Sequence, residues 1–210
     1  MEIISHRGYW KTLEERNTSV AFERSFALNL GTETDFRDYM GELFISHDIA
    51  TSNSVNADDF LKLYKRYKSP GTLALNIKAD GLQSKLKSLL SDNDITQYFV
   101  FDMSIPDTLG YIKQGVNFYS RQSEYEPEPV FYNECSGIWL DGFNSIWYTT
   151  DLIKEHINNK KRVAIVSSEL HKRNNLELWT QLKEGNIHLV DDVILCTDMP
   201  EEAIKFYTVK

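Results

Sequence analysis

The sequence is poor in the residues that define several protein classes. It has two cysteines in 210 residues, Cys135 and Cys196, too few for a disulfide framework or a thiolate zinc cluster. Both stand among apolar residues, which predicts two buried free thiols. No segment has the composition of a linker, so we predict a single domain over residues 1–210.

Positive charge and long apolar runs are also scarce. Lysine and arginine number 23 against 31 acids, a net charge of −8, which disfavours nucleic acid as a partner and means that a phosphate group must be held by a local cation or metal. No apolar run approaches the roughly 18 residues of a membrane span. The start MEIISHRG lacks the basic and then apolar pattern of a signal peptide. These absences predict a cytoplasmic protein that does not insert into membranes.

Short apolar strands alternate with amphipathic helices along the chain, the pattern of repeated βα units. Eight strands are predicted, over Glu2–Ser5, Thr32–Arg37, Thr72–Lys78, Tyr98–Asp102, Val116–Arg121, Gly137–Asp141, Arg162–Ser167 and Val193–Thr197. The predicted helices are Thr18–Leu30, Ala57–Tyr67, Gly81–Leu90, Pro106–Gln114, Thr150–Asn158, Leu176–Glu184 and Pro200–Tyr207, with one extra ribbon at Leu43–Ser46. This pattern favours a compact α/β fold of the (β/α)8 barrel type over an open doubly wound sheet.

The distribution of polar residues supports the barrel. A (β/α)8 barrel carries its catalytic groups at the C-terminal ends of several strands. Polar residues stand on or directly after the predicted strands at His6, Glu33, Asp35, Asn76, Lys78, Asp102, Arg121, Asp141 and Asp198. An open sheet would have no single site for such a set.

Glu33 and Asp35, two residues apart on one predicted strand, point to the same face. Paired carboxylates on a buried face repel each other and call for a divalent cation such as Mg²⁺, Ca²⁺ or Mn²⁺. The alternative is a solvent-facing edge strand, with Thr32, Thr34 and Phe36 turned inward.

Two of the five histidines stand directly after apolar runs, His6 in EIISH and His47 in LFISH. An imidazole at a strand end can act as base in one step and acid in the next, as phosphodiester cleavage requires. We interpret His156, His171 and His188 as surface or packing residues.

Asn76 and Lys78 share a face of the third predicted strand, which would bring an ammonium group toward the two acids. A lysine in this position suits a phosphate ligand. Its alternative role is a structural counter-ion for Glu33 or Asp35.

Taken in order along the chain, the motifs that contain these residues resemble those of the glycerophosphodiester phosphodiesterase family and its phospholipase-like relatives, which share a (β/α)8 barrel. The matching segments are His6-Arg7-Gly8, Glu15-Arg16-Asn17-Thr18 with Ala21-Phe22, Gly31 with Glu33 and Asp35, His47-Asp48, Asn76-Ile77-Lys78, and Thr197-Asp198 with Pro200. The ordered set is specific, whereas each short motif alone is weak.

The resemblance implies roles for seven of the matched positions. His6 and His47 would be the acid–base pair, Arg7 and Lys78 would contact phosphate, and one divalent metal would be held by Glu33, Asp35 and the residue at position 76. Here that residue is Asn76 instead of the family's glutamate, so the site would lack one negative charge unless Asp102, Glu124 or Asp141 supplies it. Arg16 likewise replaces an acid of the family pattern.

A further group of polar and aromatic residues at predicted strand ends suits hydrogen bonding and stacking with a sugar or polyol. It comprises Asp102, Arg121, Glu124, Trp139 and Asp141, which we predict as substrate contacts. Compact relatives of this kind also suggest a link to surface-polysaccharide or lipid metabolism.

The sequence therefore predicts a metal-dependent phosphodiesterase acting on a small glycerophosphodiester or a related polyol or sugar phosphodiester. The alternative hypothesis is a non-catalytic phosphate- or glycan-binding barrel, in which Asn76 has cost the site its metal affinity.

Overall fold

A computed structural model of the chain describes residues 1–68 and 70–208. The described residues form ten strands: β1 (Glu2–His6), β2 (Gly31–Tyr39), β3 (Glu42–Ile45), β4 (Val55–Asn56), β5 (Leu73–Ile77), β6 (Tyr98–Phe101), β7 (Tyr119–Gln122), β8 (Gly137–Leu140), β9 (Arg162–Val166) and β10 (Val193–Thr197). Seven α-helices accompany them: α1 (Ser19–Ala27), α2 (Ala57–Arg66), α3 (Gln83–Asp92), α4 (Ile105–Gln114), α5 (Thr150–Asn158), α6 (Leu176–Glu184) and α7 (Pro200–Thr208). Short 3-10 helices cover Leu13–Glu15, Ser168–His171 and Ile187–Leu189.

The chain divides into two compact units. The N-terminal unit is Ser5–Phe118, and the C-terminal unit joins Met1–Ile4 to Tyr119–Lys210. The boundary between the two units falls within strand β1, after Ile4.

The sheet of the N-terminal unit runs in the order β4-β3-β2-β5-β6. Strands β2, β5 and β6 are parallel, and Asp35 of β2 lies beside Asn76 of β5. Strands β3 and β4 continue the sheet with antiparallel pairs. All five residues of β5 are buried, as expected for a parallel strand covered on both faces.

Aromatic rings from two helices pack over one face of this sheet. The ring of Phe22 on α1 lies 4.6 Å from that of Phe60 on α2, and Phe60 meets Phe36 of β2 at 6.2 Å. Helix α2 is capped by Asn56, whose Oδ1 accepts the amide N–H of Asp58 at 2.8 Å. Asp58 and Asp59 stand in its first turn and Lys65 and Arg66 in its last, in keeping with the helix dipole.

The sheet of the C-terminal unit is parallel throughout, in the order β7-β8-β9-β10. All five residues of β10 are buried. Trp179 of α6 packs against Phe206 of α7 at 5.6 Å and donates its indole N–H to Ser167 Oγ at 2.8 Å. Parallel neighbours must be joined by a crossover connection, usually a helix. This explains why strands and helices alternate in the sequence.

Both cysteines are buried free thiols, as predicted. No helix within the described part of the chain combines the length and apolarity that crossing a membrane requires.

Candidate functional site

The turn after β1 carries His6 and Arg7 and is tied closely to β2. Arg7 adopts a positive φ of 57° and Gly8 one of 80°. The amide of Arg7 donates to the carbonyl of Glu33, and the amide of Gly8 donates to Thr32 Oγ1, both at 2.9 Å. A Cβ atom at Gly8 would lie 2.7 Å from the Cβ of Ala21 on α1, so only glycine lets the turn approach the helix this closely.

Glu33 and Asp35 are buried side by side on β2, with relative exposures of 2% and 0%. The alternative of a solvent-facing edge strand is therefore wrong, because β2 lies between β3 and β5 in this unit. Glu33 Oε2 lies 3.8 Å from His6 Nε2. The period of two residues along a strand brings both carboxylates to one face, as the spacing predicts.

Asp35 is the point where the cations of the site converge. Its Oδ2 lies 3.1 Å from Arg7 Nε, and its Oδ1 lies 3.4 Å from Lys78 Nζ. The counter-ion role that the sequence left open for Lys78 is thus present in the structure. Lys78 is positioned by its backbone, whose N–H donates to the carbonyl of Phe36 at 2.9 Å.

Asn17 holds Asp35 from the other side, a role that sequence reasoning missed. Its Nδ2 donates to Asp35 Oδ2, and its Oδ1 accepts from Thr34 Oγ1, both at 2.8 Å. Asn17 has a φ of 58°, and its backbone N–H donates to the carbonyl of Arg7. Asparagine tolerates this left-handed conformation well. Asn17 thereby joins the turn after β1 to β2.

Burial dominates the electrostatics of Glu33. Burial and, second to it, the charge of Asp35 raise the pKa of this carboxyl, whose net value is about 7 against an ordinary 4.5. His6, Arg7 and Lys78 act in the opposite direction. The charged form of Glu33 is thus under-stabilised by the protein alone.

Three buried oxygens in this cluster accept no hydrogen bond from the described residues: Glu33 Oε2, Asp35 Oδ1 and Asn76 Oδ1. Buried polar atoms usually have partners, so such a group calls for an explanation. Two carboxylates and an amide oxygen are hard ligands of the type that Mg²⁺ and Ca²⁺ take. Three or more His, Cys, Asp or Glu side chains do not cluster for metal binding within residues 1–68 and 70–208, and the donor set that fits a divalent ion here is the two carboxylates with the Asn76 amide oxygen.

His47 and Asp102 lie in the same unit as this cluster, and Asp102 Oδ1 is likewise a buried oxygen. His47 is half exposed, its Nδ1 lies 2.9 Å from Asp48 Oδ1, and its carbonyl accepts a hydrogen bond from Arg37 Nη2 at 3.2 Å. Asp102 directly follows β6 in a left-handed conformation with φ 67°. The structure brings His6, Arg7, Glu33, Asp35, Asn76 and Lys78 together and leaves His47 on the loop after β3.

The four remaining predicted residues belong to the C-terminal unit. Arg121 and Trp139 lie within β7 and β8, whereas Asp141 directly follows β8 and binds His171 at 2.7 Å. Glu124 accepts backbone N–H groups on both carboxylate oxygens. Burial opposes the ionisation of Glu124, but these bonds together outweigh it and lower the pKa of its carboxyl.

Comparison with known proteins bears on the fold. No family model and no curated protein sequence matches the chain. Its structure is similar to that of a glycerophosphodiester phosphodiesterase from Agrobacterium tumefaciens, with a TM-score of 0.74 at 13% identity over 100% of both chains. A proposed glycerophosphodiester phosphodiesterase of Galdieria sulphuraria gives 0.78 at 16% identity, over 99% of this chain and 98% of that one.

A more distant similarity links the chain to a Ca²⁺-dependent phosphatidylinositol-specific phospholipase C from Streptomyces antibioticus, with a TM-score of 0.57 at 9% identity, over 99% of this chain and 96% of that one. At such identities the likeness shows the fold. The predicted α/β class and (β/α)8 barrel are confirmed, and the resemblance to the glycerophosphodiester phosphodiesterases is confirmed at the level of fold. The extent of the domain over residues 1–210 stays a prediction.

Proposed function

We propose that the protein is a metal-dependent phosphodiesterase that hydrolyses a glycerophosphodiester or a related polyol or sugar phosphodiester. The observation that carries this proposal is the buried cluster of the N-terminal unit, where acids, cations and a histidine meet and three oxygens accept no hydrogen bond from described residues. The named activities of the structural relatives support the same class of reaction.

Glu33, Asp35 and Asn76 are the residues that would hold the divalent ion. A bound divalent cation supplies positive charge against the developing charge of the phosphoryl oxygens. Arg7 and Lys78 add two further cations beside Asp35, where they can bind the non-bridging oxygens of the phosphate. Asn17 keeps the Asp35 carboxylate in place.

The proton transfers fall to His6 and His47. One imidazole takes a proton from the nucleophile, which is water or a substrate hydroxyl, as the oxygen of the nucleophile bonds to phosphorus. The other gives a proton to the leaving alkoxide as the old P–O bond breaks. If the substrate has a hydroxyl beside the ester, that hydroxyl can attack first and give a cyclic phosphate, which water then opens. Asp102, Arg121, Glu124, Trp139 and Asp141 stay proposed substrate contacts.

One observation favours the alternative of a phosphate-binding barrel. With both acids ionised, Arg7 and Lys78 carry as many positive charges as Glu33 and Asp35 carry negative ones, and Asn76 adds none. Such a site could bind phosphate without cleaving an ester.

Product identification separates the two functions. The full chain is incubated with glycerophosphocholine, glycerophosphoinositol and bis(p-nitrophenyl) phosphate, with Mg²⁺, Ca²⁺ or Mn²⁺, and again with excess chelator. We expect a free alcohol and a phosphomonoester from at least one substrate, with metal and not with chelator. Phosphate binding without any turnover would overturn the proposal in favour of the binding barrel.

A further inference from the structure

A second histidine and carboxylate pair lies in the C-terminal unit. Asp141 Oδ1 and His171 Nε2 are 2.7 Å apart, and the Asp141 and His171 side chains are 6% and 23% exposed. Asp141 follows β8, and His171 ends the 3-10 helix Ser168–His171 after β9. This is the end of the strands at which (β/α)8 barrel enzymes bind their ligands.

The hydrogen bond to Asp141 selects the tautomer of the neutral His171 imidazole. Because the carboxylate of Asp141 only accepts, the proton of neutral His171 lies on Nε2 and Nδ1 is left as an acceptor. Across the described residues His171 Nδ1 makes no hydrogen bond. The ring is partly exposed, so a ligand can reach this acceptor.

One aromatic ring packs against the imidazole, and a second packs against the first. The Phe143 ring lies 4.8 Å from that of His171 and 5.7 Å from that of Tyr125, which is 70% exposed. The guanidinium of Arg121 lies 5.5 Å from the Phe143 ring centroid. We call Asp141, His171, Phe143, Tyr125 and Arg121 the ring platform.

The backbone under the ring platform is firmly held. Glu124 accepts the amide N–H groups of Phe143, Asn144 and Ser145 at 2.9–3.0 Å. Asn144 Nδ2 donates to the hydroxyl of Tyr125, and Trp147 Nε1 donates to the carbonyl of Asp141, both at 2.7 Å. A loop fixed in this way is preorganised, which lowers the entropic cost of binding a ligand.

Charge decides which ligand the ring platform suits. His171 already faces the Asp141 carboxylate, and Arg121 Nε has Glu126 Oε2 3.7 Å away. Within the ring platform His171 and Arg121 each face an acid, so an anionic group gains little from these two side chains. A hydroxyl can donate to His171 Nδ1, and the apolar C–H face of a ring can lie on Phe143.

We infer that the ring platform binds a sugar ring or cyclic polyol, with His171 Nδ1 accepting a hydrogen bond from one of its hydroxyls. Asp141 is the positioning residue that fixes the imidazole. The inference rests on the proposed function in one respect: the ligand belongs to the sugar and polyol class proposed there for the substrate.

Direct binding tests this inference without relying on turnover. The full chain is titrated with glucose, myo-inositol and glycerol, none of which has a phosphodiester bond to hydrolyse, while the ¹H and ¹⁵N signals of the His171 ring are followed by NMR. Saturable shifts with glucose or myo-inositol, and binding of glycerol at least about tenfold weaker, are expected. The absence of saturable His171 shifts with either ring compound would overturn the inference.

Matched variants locate the binding. His171→Gln and Phe143→Leu should each weaken binding about tenfold, since each removes one of the two contacts. His188→Gln is the control, because His188 is also a partly buried histidine of this unit stacked on an aromatic ring, Tyr207. Equal weakening by His188→Gln, or unchanged binding in both His171→Gln and Phe143→Leu, would contradict the assignment.

The positioning role of Asp141 has a spectroscopic readout. In the parent chain the ¹⁵N shifts of His171 should report a proton on Nε2 and none on Nδ1, and Asp141→Ala should turn this into a mixture of tautomers. A pure Nε2-protonated signal in Asp141→Ala would refute the role. Ring binding without hydrolysis would refute only the phosphodiesterase, and hydrolysis without ring binding only the ring platform.

Discussion

Two acids of the C-terminal unit and two of the N-terminal unit differ in how many of their carboxylate oxygens accept hydrogen bonds. Glu124 and Glu169 of the C-terminal unit accept hydrogen bonds on both carboxylate oxygens, from backbone N–H groups and, for Glu169, from Ser167 and Thr197. Glu33 and Asp35 of the N-terminal unit are more buried, yet each has an oxygen that accepts no hydrogen bond from described residues. Satisfied acids stabilise their loops, whereas unsatisfied buried acids cost stability and persist where function needs them.

The largest expected effect comes from neutralising Asp35. Asp35→Asn leaves Arg7 and Lys78 without their shared carboxylate and removes the charge of a proposed metal ligand, so we expect kcat/KM to fall about 10³-fold or more. Asp38→Asn is the control, since Asp38 is an exposed acid on the same strand. Similar rates for both variants would remove Asp35 from the mechanism.

Loss of either proton-transfer group should come next. His6→Ala and His47→Ala are each expected to lower kcat about 10²-fold or more, within the range typical of general acid–base catalysis. The bell-shaped pH–rate profile of the parent should lose one limb in each variant. His47 is half exposed and lies beside Asp48. Full activity in His47→Ala would show that another group carries out the second proton transfer.

The comparison also predicts an unusual stability effect at Glu33. Its pKa is about 7 in the folded chain against an ordinary 4.5, so the folded state holds the proton more tightly and stability falls as the pH rises from about 4.5 to 7. In excess chelator at pH 8, Glu33→Gln should raise the free energy of unfolding by on the order of 3 kcal/mol, and the gain should vanish by about pH 4. Urea unfolding at both pH values measures this, and a destabilised Glu33→Gln at pH 8 would oppose the interpretation.

Glu169 should behave in the opposite way. Glu169→Gln weakens the bonds to Ser167, Thr197 and the Asp198 amide, so we expect a loss of about 1–3 kcal/mol in unfolding free energy. Thermal unfolding with and without chelator should give the same loss. A gain in stability would show that this carboxylate is no better satisfied than Glu33.

Much of the fold was predictable because periodicity reports burial directly. The bounds of β10, α5 and α6 agree with those predicted, since each is a run of one clear period. Strand β2 runs on to Tyr39 because its end pairs with β3, and β7 begins at Tyr119 rather than Val116. The two-residue strand β4 and the short 3-10 helices are too brief to show a period.

The site was predictable where one element or an ordered motif defines it. Glu33 and Asp35 share a face through strand geometry alone. Asn17 and His171 were missed because their roles depend on contacts with residues 18 and 30 positions away, Asp35 and Asp141. A polar residue in a loop carries no periodic signal of such a partner.

Calorimetric titration of the chelator-treated full chain with Mg²⁺, Ca²⁺ and Mn²⁺ tests the central claim most directly, namely that the Glu33, Asp35 and Asn76 oxygens hold the metal. The account predicts one ion per chain, binding tightened about tenfold in Asn76→Asp by the added charge, and binding lost in Glu33→Gln. An unchanged affinity in both variants, or no ion bound by the parent chain, would contradict it.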